Sequence, residues 1–368
     1  MRATIPSFTS NKGTVVSAIP KTMRAAILVR QREPLVVGEV ELPRELLHGQ
    51  VLVRVRYSGI CGSQLGEIDG VKGEYPHLPH LLGHEGSGTV LAVGGGVRTV
   101  APGADVVLHW MAGQGLRSDP PAYQWQGRKL NAGFVTTFNE YAVVSENRVT
   151  PVPPGVGLDL AALFGCAVTT GFGVIDNKAE VKLGQSVAVL GAGGVGLSMI
   201  QGAALAGAWP IVAVDRYANR LDLAQAMGAT HCVNAAACDM EPALRAIFGP
   251  AGADVVIDNT GVPAVIQAAY RLLGAKGRLI LVGVPAKGAE VSLHTLPLHF
   301  GKQITGTKGG ECAPDLDIPR YGRLCAAGRL DLSGLITERF GLGEINTAIA
   351  RMRDGSMAGR CLIEFQHP

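Results

Sequence analysis

No C-x-x-C pair occurs in this 368-residue chain, and its seven cysteines (Cys61, Cys166, Cys232, Cys238, Cys312, Cys325 and Cys361) are scattered. That pattern argues against a disulfide framework and against a four-cysteine zinc clip. No basic block is present, and a formal net charge of +3 gives no footprint for nucleic acid. No apolar run reaches membrane-spanning length, and residues 1–22 lack the charged start and apolar core of a signal peptide. The expectation is a soluble, cytoplasmic protein with neither nucleic-acid nor membrane partners. Internal repeats and long low-complexity tracts are missing as well. What the chain has in quantity is glycine, 50 residues of it, with 47% hydrophobic against 17% charged residues. At this length two domains with sizeable buried sheets are expected.

The stretch SVAVLGAGGVGLSMIQGAALAGAWPIVAVD, residues 186–215, organises the rest. An apolar run short enough for a buried parallel strand precedes Gly191, Gly193 and Gly196 at G-x-G-x-x-G spacing, with Gly194 and Val195 between them. A helix-like segment and a second apolar strand follow, and the strand ends in Asp215. Gly191 suits the tight turn, Gly193 a close approach to a pyrophosphate, and Gly196 close helix–strand packing. The helix N-terminus offers free N–H groups to phosphates. Asp215 is placed to accept bonds from an adenosine ribose and to repel a 2′-phosphate, which favours NAD over NADP. Arg216 and Arg220, just beyond, soften that preference.

Residues 1–22, rich in Ser, Thr, Pro and Gly, read as a mobile arm. From residue 23 to about 157, β-branched runs separated by Pro and Gly indicate short strands in a mainly β unit. The pattern turns helical near residue 158, and strands then alternate with helices, which implies a doubly wound parallel sheet. Short helices and a final strand, GRCLIEF, close the chain. The expected division is a catalytic unit of residues 23–168 and 311–368 around a nucleotide-binding unit of residues 169–310.

Upstream of the nucleotide loop stand Cys61 in SGICGS, His84 in LGHEG and Cys166 in LFGCAVTT. Two thiolates and an imidazole with an open fourth position suit a catalytic Zn²⁺. Spacing alone does not bring them together, and buried cysteines with a core histidine account for the same residues.

GQVLVRVRYSGICGS, LGHEGSGTV, the 166–170 stretch and VLGAGGVG together resemble the zinc-dependent medium-chain alcohol dehydrogenases, and the resemblance spans residues 23–368. It implies a GroES-like catalytic domain beside a Rossmann domain, one catalytic zinc per chain, and NAD. By that likeness Cys61, His84 and Cys166 are the zinc ligands, and Glu85 is an acid beside the metal, able to approach it. Ser63 passes on the alcohol's proton. Thr170 and Val195 pack on the nicotinamide, Val284 lies close to it, and Arg360 contacts the pyrophosphate. Trp110 belongs to the substrate pocket. The implied reaction is reversible oxidation of a primary or secondary alcohol, with hydride transfer to NAD. His109, Gln64 and Lys308 as pocket residues point toward a polyol or sugar-like substrate.

The chain also departs from that family. Residues 111–133, where many members carry four structural-zinc cysteines, have none, so no structural zinc is expected. Tyr123 and Trp125 in this segment either lid the substrate entrance or pack into an ordinary surface loop. Gln64 stands where relatives have an acid that orients the histidine ligand, and Gly66 where they end the proton relay. Gln64 is thus expected to hold His84 less tightly or to leave the task to another group. His77, His80 and His109 are nearer to structural roles. Two competing readings remain: a zinc-free quinone or enone reductase of the same superfamily, and a non-catalytic NAD-binding protein. A homodimer or homotetramer is expected, pairing through an apolar edge strand around residues 278–285.

Overall fold

The structure, a computed structural model, describes residues 20–367, so the arm read over residues 1–22 lies almost wholly outside the described residues. Thr22 already belongs to the first strand, Thr22–Leu28.

Six parallel strands form the nucleotide-binding sheet. From one edge to the other they run His231–Asn234, Ile211–Asp215, Val187–Leu190, Ala253–Asp258, Leu273–Leu281 and Gln303–Gly306. The order reverses between Val187–Leu190 and Ala253–Asp258, and ligands bind at the carboxyl ends of strands at such a switch point. Val187–Leu190 is buried on both faces, as its unbroken apolar run requires. The strand His231–Asn234 and the helix Met240–Phe248 escape the periodicity reading because the strand has only four residues, half of them exposed. The outer strand is Gln303–Gly306; Leu273–Leu281, expected at the edge, is paired on both sides. The segment QITG reads as a strand, but the polar Gln303 and Thr305 keep it from reading as an apolar pairing edge.

The remaining strands form a five-stranded and a seven-stranded sheet. In the larger, Gln50–Gly59 pairs with Glu85–Val93, and Ser58 faces Gly86. Glu85 faces His109 on the next strand, Asp105–His109. Arg360–Glu364 returns from the end of the chain and sets Leu362 against Gly59. Three strand ends, at Gly59, Glu85 and Arg360, therefore meet at one point. Tyr123 and Trp125 lie buried in a short hairpin, and the Tyr123 hydroxyl accepts the Val143 N–H at 3.0 Å. They are packed aromatics, so no lid is formed by them. Among the described residues no helix is long and apolar enough to cross a membrane.

A 3₁₀ turn, Glu146–Arg148, carries Arg148 to the site described below. Its anchor is the Glu146 carboxylate, which accepts backbone N–H bonds from Arg98 (2.6 Å), Thr99 (2.8 Å) and Leu116 (2.7 Å). Burial pushes this carboxyl up, and the three N–H donors more than offset it, so its pKa lies below the ordinary value. Stability gained this way is present above the ordinary carboxylate range and is lost as pH falls through the lower folded value. Glu146→Gln is expected to cost about 1–3 kcal/mol in urea unfolding at neutral pH. The gap to the parent protein should close on acidification below that range.

Candidate active site

Cys61 follows the strand Gln50–Gly59 and caps the short helix Gly62–Ile68. His84 precedes the strand that begins at Glu85. Cys166 sits in the break between the helices Leu158–Leu163 and Ala167–Gly173, with φ −151° and ψ −61°; the sequence reading placed it within a helix. Its neighbour Gly165 lies so tightly on the strands that a Cβ would stand 2.7 Å from the Glu85 Cα, and this close approach admits Cys166 to the site. The ligand atoms of Cys61, His84 and Cys166 all fall within 4.8 Å of one another. Two soft sulfurs and one ring nitrogen at that separation fit a tetrahedral Zn²⁺ with one position left for substrate.

Charges around the cluster favour metal binding. The hydrogen bond from Cys166 pulls the Cys61 thiol well below its ordinary pKa, and Arg360 and His84 add to the pull. Cys166 in turn is pushed up by its bond to Cys61 and by burial. Glu85 is fully buried, and burial pushes its carboxyl up against the opposing pull of Arg360. One Glu85 oxygen lies 3.1 Å from Arg360 Nη1, and the other accepts the Ala167 N–H at 3.0 Å. Gln64 Nε2 is 3.0 Å from His84 Nδ1, and its carbonyl accepts the Gly83 N–H. Gln64 therefore keeps the orienting task that the sequence left open. Ser63 is half-buried on the first turn of Gly62–Ile68.

On the nucleotide side, Gly191 takes φ +100°, and a Cβ at Gly196 would collide with the Gly191 carbonyl. The space around Gly193 is open, as backbone contact with a pyrophosphate requires. Val195 is half-buried on the first turn of the helix Gly194–Leu205. Asp215 ends its strand and accepts N–H bonds from Ala192 (2.8 Å) and Tyr217 (3.1 Å). Arg220 lies 3.9 Å from that carboxylate, and both Arg216 and Arg220 stack on Tyr217. Arg360 lies directly on Gly194, donates to the Ile60 carbonyl at 2.8 Å and reaches within 3.8 Å of Cys61 Sγ. Its buried Nε has no acceptor among the described residues, a donor suited to a phosphate at this loop. The Thr170 hydroxyl is 3.9 Å from Cys166 Sγ. Val284 is 54% exposed and its backbone borders Gly261.

A cavity of about 430 Å³ opens beside His84, lined by Trp110, Met111, Ala112, Phe134, Val135, Arg148 and Lys308. His109, expected in the pocket, is buried and not on this wall. Its ring nitrogens lie 2.8 Å from the Met111 carbonyl and 2.9 Å from the Thr150 hydroxyl, and burial holds its pKa down to about 4. Phe134 and Arg148 escaped the sequence reading; they sit in irregular stretches where no spacing marks them.

Two family models match the chain: the alcohol dehydrogenase GroES-like domain over residues 48–154, and zinc-binding dehydrogenase over residues 194–325. The S-(hydroxymethyl)glutathione dehydrogenase of Escherichia coli is 30% identical over 366 residues, covering 90% of this chain and 97% of that protein. The enzyme of the same name from Haemophilus influenzae is 31% identical, covering 90% and 94%. Among solved structures, an alcohol dehydrogenase zinc-binding domain protein from Burkholderia ambifaria matches with a TM-score of 0.86 at 32% identity, covering 94% and 99%. Benzyl alcohol dehydrogenase from Acinetobacter calcoaceticus matches at 0.84 and 28%, covering 94% and 100%. With its thiol–imidazole cluster beside a dinucleotide loop, the chain belongs to the medium-chain dehydrogenase/reductase family as a zinc- and NAD-dependent alcohol dehydrogenase.

Proposed function

We propose that Cys61, His84 and Cys166 hold the catalytic zinc, and that the 430 Å³ cavity beside His84 receives the alcohol. The convergence of the three ligand atoms within 4.8 Å carries this reading. The same cluster disfavours a metal-free quinone or enone reductase, which has no use for it. Bound zinc supplies Lewis acidity toward an alcohol or carbonyl oxygen. The chain's own residues do the rest. Gln64 fixes the His84 ring. Arg360 keeps a positive charge beside the Cys61 sulfur and the nucleotide loop. Asp215 accepts from the ribose hydroxyls and repels a 2′-phosphate, with Thr170, Val195 and Val284 assigned to the nicotinamide end. The Ser63 hydroxyl passes the alcohol's proton outward, and the Trp110, Met111, Phe134 and Val135 wall excludes water from the hydride path.

Two of the three side chains behind the polyol expectation, His109 and Gln64, are committed inside the fold. The aromatic and apolar wall favours an apolar or aromatic alcohol instead. Residues 23–168 with 311–368 are assigned to catalysis and 169–310 to NAD. The return of Arg360–Glu364 to the β unit supports this division. The assembly is assigned as a cytoplasmic homodimer joined through the Gln303–Gly306 edge. Leu296 (56%) and Phe300 (72%) stand exposed beside that edge.

Purified, chelator-washed protein should hold about one zinc per chain, and Cys166→Ala should hold none, by elemental analysis. Retention of zinc by that variant would break the ligand assignment. Gln64→Ala should keep the site but lose zinc to a competing chelator at about 10–100-fold lower chelator concentration. Phe300→Asp should move sedimenting protein from dimer toward monomer with the fold retained.

A further inference from the structure

The polar groups on the cavity wall share one property. Apart from His84 they are Trp110, Arg148 and Lys308, all of which donate hydrogen bonds and cannot accept them. The buried Trp110 Nε1 and Arg148 Nε have no acceptor among the described residues. Lys308 Nζ lies 6.0 Å from the Trp110 ring centre. The Arg148 guanidinium sits 5.1 Å from the Phe134 ring centre, and Arg117 stands equally close to the same ring. Among the described residues none of Arg117, Arg148 and Lys308 has a carboxylate within 4.0 Å. Glu146, two residues from Arg148, is committed to backbone N–H groups, and Asp315 accepts from Gln114. Like charges gathered on an aromatic wall without a counter-ion repel one another, and an anion entering between them relieves that repulsion.

Resting on the dehydrogenase reading above, we propose that this enzyme selects alcohols whose apolar or aromatic body carries an anionic group, with Arg148 and Lys308 as the specificity-determining pair. The hydroxyl end faces His84, the body lies against Trp110, Phe134 and Val135, and the anion lies at the two cations. Arg148 presents the anion with a guanidinium already fixed by its bond to the Trp110 carbonyl, so little side-chain order is lost on binding. Lys308 is exposed and adds charge at the cavity mouth.

The test compares benzyl alcohol, 4-(hydroxymethyl)benzoate and 4-(hydroxymethyl)benzamide as substrates of the zinc-loaded enzyme with NAD. Calorimetric titration of the last two into enzyme saturated with NADH runs in parallel. NADH fills the cofactor site and accepts no hydride, so neither cofactor phosphates nor turnover accounts for the heat. The carboxylate is expected to exceed both neutral alcohols in kcat/KM by about tenfold or more, chiefly through KM, and to bind more tightly than the amide. Lys308→Glu should collapse the carboxylate-to-amide ratio in both measurements. Lys276→Glu, the same charge change at the far end of the strand Leu273–Leu281, should leave the ratio as it was. Arg148→Lys keeps the charge without the fork and should lower the ratio part of the way. Equal turnover and equal binding of carboxylate and amide would overturn the proposal and leave the dehydrogenase standing. Tighter, Lys308-dependent binding of the carboxylate without oxidation of any alcohol would keep the anion site and overturn the dehydrogenase reading. Neither binding nor oxidation would overturn both.

Discussion

The ion pair between Glu85 and Arg360 ties the site together. Both side chains are almost fully withdrawn from water, at 0% and 3% exposure. Removing two charges from water costs more than their attraction alone returns unless further bonds satisfy them. Here the Ala167 N–H holds the second Glu85 oxygen, and the Ile60 carbonyl takes an Arg360 donor. Those bonds join four segments: the end of the Gln50–Gly59 strand, the start of Glu85–Val93, the helix that follows Cys166, and the last strand. Each segment carries a residue of the zinc cluster or the nucleotide loop's cationic neighbour. The pair lies beside Cys61, His84 and Cys166 and fixes the backbone that spaces them.

Regions of one uniform period were readable from sequence. Val187–Leu190, the glycines and Asp215 formed the strand, turn and acid their order implied, because Gly191 and Gly196 each answer a local steric demand. Cys61, His84 and Cys166 suggested a metal site by residue type and the resemblance strengthened it, but no local rule brings residue 166 to residues 61 and 84; the fold does that. The pocket was least legible. His109 has the composition of a pocket residue, yet its alternation along Asp105–His109 turns it to Thr150 and the interior. Phe134 and Arg148 reach the cavity from irregular segments, where no periodicity says which way a side chain points. The edge strand was misplaced for a related reason: apolar runs identify strands covered on both sides, and Gln303–Gly306 is the polar one left at the boundary.

The two sides of the active site have opposite electrostatic characters. Around the Cys61, His84 and Cys166 cluster stand the Glu85 carboxyl and a Cys61 thiol held well below its ordinary pKa, with Arg360 beside both. Across the cavity stand the cations Arg148 and Lys308, and Trp110 Nε1 and Arg148 Nε have no acceptor among the described residues. A cleft polarised in this way orients a dipolar guest before any contact forms, because field lines concentrate where low-dielectric walls confine them.

The order in which the chain supplies its parts bears on assembly. Glu85 is made early, whereas its counter-charge arrives on Arg360–Glu364, after the entire six-stranded sheet. During vectorial synthesis the amino-terminal β unit therefore holds a carboxylate at a place that is apolar once folded, with no cation to neutralise it. The nucleotide sheet can close meanwhile, since all its strands lie within residues 187–306. The counter-charge of Glu85 therefore reaches the β unit only with the strand Arg360–Glu364, after the nucleotide sheet has been supplied.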